Sequence, residues 1–215
     1  MSTASGFRPA PRAQGSRALA TVEPLDFRRL GAAKSAYTTR FVSRLIDADP
    51  RGYGLMTGLR VVPQAGDVVL ARVDKLGQHA AIMLPDGRRA SLFEGDEILV
   101  AYGDRYAPDQ FEGEVPDSLG RTHLLAAGGL AGTVISAHAC MKAPTQIQPL
   151  GLLTDAGGVV TLRRCAPFTA VAPKAAKVLG RVGKPLVIGV LGTSMNSGKT
   201  TTVASIVRGL TRAGL

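Results

Sequence analysis

The sequence predicts an α+β chain. A small all-β, barrel-like N-terminal unit is followed by the first strand–loop–helix of an α/β domain that is cut short. Two observations predict this. Turn signals recur about every ten residues through 59–165, with short apolar segments between them. The last thirty-one residues, PLVIGVLGTSMNSGKTTTVASIVRGLTRAGL, change rhythm to an apolar run, a glycine-bounded loop and a helical stripe.

Taken in order, residues 1–22 are rich in Ala, Ser, Pro and Arg and are expected to be a disordered basic tail. The stretch lacks the continuous apolar core of a secretory signal. Residues 23–58 read as a helical or irregular lead-in. Within it Tyr37, Phe41, Leu45 and Ile46 are expected on one helical face, with Pro50 as the stop.

Residues 59–168 are expected to be a β-rich accessory domain. DVVLARV (67–73), AAIML (80–84), ASLF (90–93) and EILVAY (97–102) are its first strands. Pro85-Asp86-Gly87 supplies a turn, because proline presets φ and glycine takes the positive one. The polar stretch 103–116 reads as a solvated loop, and its Asp104, Asp109, Glu112 and Glu114 fit no calcium-loop spacing. Arg105 and Tyr106 carry no sharper signal. AAGGLAG (126–132) lacks a following Lys-Thr and leads into a strand-like GTVISAH, so it reads as a tight turn. His138 and Cys140, two apart, would share one face of that strand. Without a third partner they read as a buried thiol beside an exposed imidazole. MKAPTQIQPLG (141–151) reads as a proline-bearing connection, and VVTL (159–162) as the last strand. Residues 169–184, proline-bearing and then basic, form the expected linker.

Charge is unevenly spread. Residues 1–60 carry a net +6, 61–120 a net −6, and 121–215 a net +10. The basic flanks suit phosphates, but they also neutralise the acidic middle. With four Tyr, six Phe and no Trp, a base-stacking surface is thinly supplied. Two cysteines, Cys140 and Cys165, suggest neither a disulfide framework nor a zinc cluster. No stretch of about 18 apolar residues is present to span a membrane. The expected setting is cytoplasmic.

The chemistry sits in 185–215, the expected start of a nucleotide-binding domain. Leu186 to Leu191 is short, apolar and β-branched, like a fully buried parallel strand. Val203, Ile206, Val207 and Leu210 follow at i, i+3, i+4 and i+7, one helical stripe. Between them the loop and the helix N-terminus would aim backbone N–H groups at an anion. The phosphate-binding set is therefore Gly192, Thr193, Ser194, Met195, Asn196, Ser197, Gly198, Lys199, Thr200 and Thr201. Lys199 would reach the terminal phosphates, and the Thr200 hydroxyl would ligate Mg²⁺.

A strict Walker A motif has four residues between its glycines, whereas Gly192 and Gly198 are separated by five. The loop resembles the GT-x-x-x-x-GKT loop of the dethiobiotin synthetase and cobyrinic acid amide synthase group, within the P-loop class that includes MinD-like ATPases. The matching residues are Gly192, Thr193, Gly198, Lys199 and Thr200. Ser194 stands where dethiobiotin synthetases typically have Asp and where MinD-like loops have their signature lysine. The resemblance covers about thirty residues. It implies ATP more than GTP, with Mg²⁺, in a synthetase-type activation or an ATPase switch. No strand ending in a Walker B Asp follows, so the chain is expected to be the N-terminal part of a longer enzyme and inactive alone. The expected partners are a nucleotide and an unidentified small-molecule co-substrate. Nucleic acid is possible but not favoured, no membrane is expected, and a homodimer is an open option. The competing reading is a nucleic-acid-binding β-barrel module with a basic tail and no NTPase activity.

Overall fold

Two neighbouring residues of one strand, Val69 and Leu70, are both fully buried, because that strand, Val68–Lys75, is covered on both faces. The computed structural model describes residues 20–167, 188–193 and 196–214. The basic tail up to 19, the linker 169–184, the start of the apolar run at 185–187, and Ser194, Met195 and Leu215 lie outside the described residues.

The elements are β1 (Thr21–Pro24), α1 (Phe27–Ala32), β2 (Lys34–Ser35), a 3₁₀ turn (Tyr37–Thr39) running into α2 (Arg40–Ala48), and β3 (Gly54–Thr57). There follow β4 (Val68–Lys75), β5 (Ala81–Met83), β6 (Arg89–Ser91), β7 (Glu97–Tyr102), β8 (Phe111–Glu114), β9 (Thr122–Ala126) and β10 (Leu130–Ala137). The last are β11 (Thr145–Asp155), β12 (Gly158–Val159), α3 (Leu162–Cys165) and α4 (Lys199–Arg212). This is a mixed α+β protein, strand-rich with few helices. No described helix is long and apolar enough to cross a membrane.

A ten-stranded sheet runs in the order β1-β3-β11-β4-β7-β10-β8, and β5 with β6 makes a separate hairpin. Off that path β2 pairs β7, β12 pairs β11, and β9 pairs both β10 and β11. Most pairings are antiparallel; β2–β7 and β7–β10 are parallel.

Antiparallel strands usually alternate apolar and polar, because one face meets water. β4 does not alternate over its first four residues. Val69, Ala71 and Val73 join Val100, Leu124 and Ile147 in one core, on one face of the sheet. Val68 and Leu70 join Leu99, Leu153, Val42 and Ile46 in another, where α2 covers the sheet. The lead-in is therefore more than helical or irregular: its β1 and β3 are sheet strands, and α2 is a lid on the core. Residues 21 and 22, expected in the tail, open β1.

The face that α2 buries differs in part from the expected one: of the four expected residues only Ile46 is buried. Val42, Ser43 and Ile46 point inward, while Tyr37 and Leu45 are exposed at 40% and 51%. Arg40 lies over the rings of both Tyr37 and Phe41, which keeps them outward beside a cation.

Two further expectations are corrected. Residues 145–151 of the stretch 141–151 are the first seven of the eleven residues of β11, the longest strand described, rather than a connection. Its Pro149 sits at a register irregularity against β4, where the ladder does not need a proline N–H. Likewise 111–114 of the expected solvated loop is β8, held down by fully buried Phe111 and paired with β10.

Candidate phosphate-binding loop

Gly192 and Ser197 are brought together by the curl of the loop. A Cβ on Gly192 would stand 2.1 Å from Ser197 Oγ and 2.9 Å from Lys199 Cγ. Only a residue without a side chain fits that approach. Two needs for left-handed backbone are met farther on, by Asn196 at φ 58° and Gly198 at φ 82°. Asn tolerates this region better than other residues with side chains, and glycine enters it at no steric cost.

Gly198 is also the residue preceding α4, and no side chain caps that helix. The N-terminus of such a helix carries the positive end of the helix dipole, which favours an anion. Lys199, the first residue of α4, donates from Nζ to Ser197 Oγ at 3.0 Å. Thr202 Oγ1 donates to the Gly198 carbonyl at 3.0 Å. Asn196, Ser197, Gly198, Lys199, Thr200 and Thr201 line a cavity of about 260 Å³. Six of the ten sequence-predicted residues thus share one concavity, and Gly192 packs against it. Thr193 lies in a bend beside it. Ser194 and Met195 lie outside the described residues.

The expected buried strand is not formed over the residues described there. Ile188 to Leu191 has no ladder partner, and Leu191 is 94% exposed. The helical stripe does meet that segment: Ile188 and Val190 line one apolar groove with Val203, Ile206, Val207 and Leu210. The stripe stays exposed there, with Val203 at 45% and Val207 at 56%, and does not face a sheet as expected.

The other candidates resolve into structural roles. Asp104 accepts from the Val115 backbone N–H at 2.8 Å, and Glu112 from the Ser136 hydroxyl at 2.9 Å. Arg105 donates to the Leu125 carbonyl and, at 2.6 Å, to Gln110 Oε1. Burial holds its pKa below the ordinary arginine value, against the pull of Asp109. His138 and Cys140 lie in a turn just past β10, not on a strand. There the Cys140 backbone N–H, not its thiol, meets His138 Nδ1 at 3.3 Å. Cys140 is exposed rather than buried. Of the turn expected at 126–132, only 127–129 lies between β9 and β10; 130–132 already belongs to β10.

Sequence reasoning missed His79 and placed Asp109 only in a solvated loop. His79, half-buried, donates from Nε2 to the same Leu125 carbonyl at 3.0 Å, edge-on to Phe111. Asp109 accepts a hydrogen bond from the Asn196 side chain. No local pattern signals either, since both contacts join segments far apart in sequence. No group of three or more His, Cys, Asp or Glu able to hold a metal occurs among the described residues.

Comparisons with protein-family models, with curated proteins and with solved structures found no match.

Proposed function

We propose that Gly192–Thr201 binds the phosphates of a nucleotide, ATP in preference to GTP, together with Mg²⁺. The observation that carries this reading is the closed loop ahead of α4. Gly192 is pressed against Ser197 and Lys199, Gly198 is left-handed, and the helix opens on a glycine N-cap beside a lysine. Lys199 would neutralise the terminal phosphates, the loop N–H groups would hold their oxygens, and Thr200 would hold the ion. Mg²⁺ would supply further charge neutralisation on the phosphates when bound. The reading extends to the nucleotide-binding part of an ATP-dependent synthetase-type enzyme or an ATPase. The strand-rich body is then its accessory unit. The circuit of pairings β11–β4–β7–β10–β9–β11 supports reading that body as a small closed barrel.

Calorimetric titration of the full-length protein with ATP and GTP, with and without Mg²⁺, tests the proposal. Lys199→Ala should weaken binding without changing the melting temperature. Wild type that binds neither nucleotide would refute it.

A second reading is nucleic-acid binding by the strand-rich body. It is favoured by the exposed Tyr37 and Arg44 flanking Arg40 and Phe41 on α2. Oligonucleotide affinity that falls steeply with salt and is indifferent to Lys199→Ala would support it instead.

A further inference from the structure

The turn between β7 and β8 brings an acidic side chain against the loop. Asp109 Oδ2 accepts a hydrogen bond from the side-chain amide of Asn196, one of the residues lining the cavity beside Lys199. The turn is firmly anchored. Ala107 and Phe111 are buried on either side of Asp109, and the Gln110 N–H donates to the Ala107 carbonyl at 2.9 Å. The second oxygen, Asp109 Oδ1, is buried with no hydrogen-bond partner among the described residues. The nearby Arg105 guanidinium is engaged by Leu125 and Gln110.

A buried carboxylate oxygen without a partner is costly, and it becomes more so beside another anion. Phosphates entering the cavity would bring several negative charges to the residue that Asp109 holds. Like charges brought within a few ångströms of each other repel, and this opposes Asp109 keeping its place once phosphates are bound. Asp109 and a bound triphosphate are therefore alternative occupants of this side of the loop.

We propose that Asp109 is an autoinhibitory residue: through Asn196 it holds the loop closed to nucleotide, and nucleotide binding displaces the 104–110 turn. This rests on the phosphate-loop reading and adds to it a route by which the strand-rich body regulates the loop. Coupling of this kind is reciprocal. Whatever draws the 104–110 turn away from the loop raises nucleotide affinity, and nucleotide loosens that turn.

The test uses the full-length protein and MgATP. Asp109→Ala should bind about tenfold more tightly than wild type, in the usual range for coupling between two sites. Asp109→Asn, which keeps the shape and loses the charge, should gain less. Asn196→Gly removes the amide while tolerating the positive φ, and it too should bind more tightly. Hydrogen exchange supplies a second readout: saturating MgATP should increase exchange across 104–110 in wild type and change it little in Asp109→Ala. Affinity in Asp109→Ala equal to or weaker than wild type, or exchange across 104–110 that MgATP leaves unchanged, overturns the proposal. If wild type and all variants bind neither ATP nor GTP, the phosphate-loop reading fails, and the autoinhibition with it.

Discussion

Gly129 faces Ala36 so closely that a Cβ on the glycine would stand 2.0 Å from that of the alanine. The glycine closes the β9–β10 hairpin at φ 96°, and the alanine begins the 3₁₀ turn before α2. Thr38 completes the junction: its hydroxyl donates to the Gly129 carbonyl at 2.8 Å and its N–H to the Gly128 carbonyl at 3.0 Å. Gly129→Ala meets both a steric and a backbone penalty, so a loss of about 2–4 kcal/mol is expected. Gly128→Ala, with nothing within 4 Å of the added carbon, should cost less than about 1 kcal/mol. Urea unfolding of the two variants distinguishes them, and equal losses would contradict the close approach.

The orientation of α2 makes a second contrast. Ile46 is 5% exposed and packs in the core with Val68 and Leu70, whereas its neighbour Leu45 is 51% exposed. Ile46→Ala should cost about 2–4 kcal/mol, and Leu45→Ala no more than about 0.5 kcal/mol. A larger loss at Leu45 would show that the helix presents its other face to the sheet.

His79 and His123 should make the fold acid-sensitive. Burial lowers the pKa of His79; its bond to Leu125 opposes this, and the charges of Arg105 and Arg89 add to the lowering. Burial alone lowers that of His123. The folded protein therefore takes up these protons at lower pH than the unfolded chain. Their contribution to stability is complete above the ordinary value of 6.5 and is lost as pH falls through the depressed values. The urea midpoint should drop between pH 7.5 and pH 5.5. Imidazole NMR titrations should show both residues with midpoints below 6.5, and a His79 midpoint at or above that value would contradict its buried, neutral state.

Lys199 and Thr200 should separate by their dependence on metal. Loss of a charge-assisted hydrogen bond is worth roughly 1.5–3 kcal/mol, so Lys199→Ala should weaken ATP about 10- to 150-fold. Thr200→Ala should weaken it mainly when Mg²⁺ is present, because the hydroxyl serves the ion. Titrations with Mg²⁺ and with a chelator measure the difference. A Thr200→Ala loss of equal size under both conditions would remove the metal-ligand role.

What the sequence determined by itself was local. Strands β4 to β7 and their turns are legible because Gly66-Asp67, Pro85-Asp86-Gly87 and Gly95-Asp96 fix the chain within a few residues. The loop from Gly192 to Thr201 is legible for the same reason: its glycines, lysine and threonine act through adjacent backbone. The tertiary structure decided everything that depends on residues distant in the chain. Tyr37, Phe41, Leu45 and Ile46 are expected on one buried face, but packing of Val42 with Ile46 against the β4 and β7 core rotates the helix so that only Ile46 of the four is buried. Pro149 reads as a breaker until a bulge against β4 removes the need for its N–H. Phe111 and Asp109 lie in a charged stretch that looks solvated, and only burial of the ring and the reach of Asn196 give them their places. Local rules carry backbone preference and periodicity; which face is covered, and which distant group completes a hydrogen bond, is set by the packing of the whole chain.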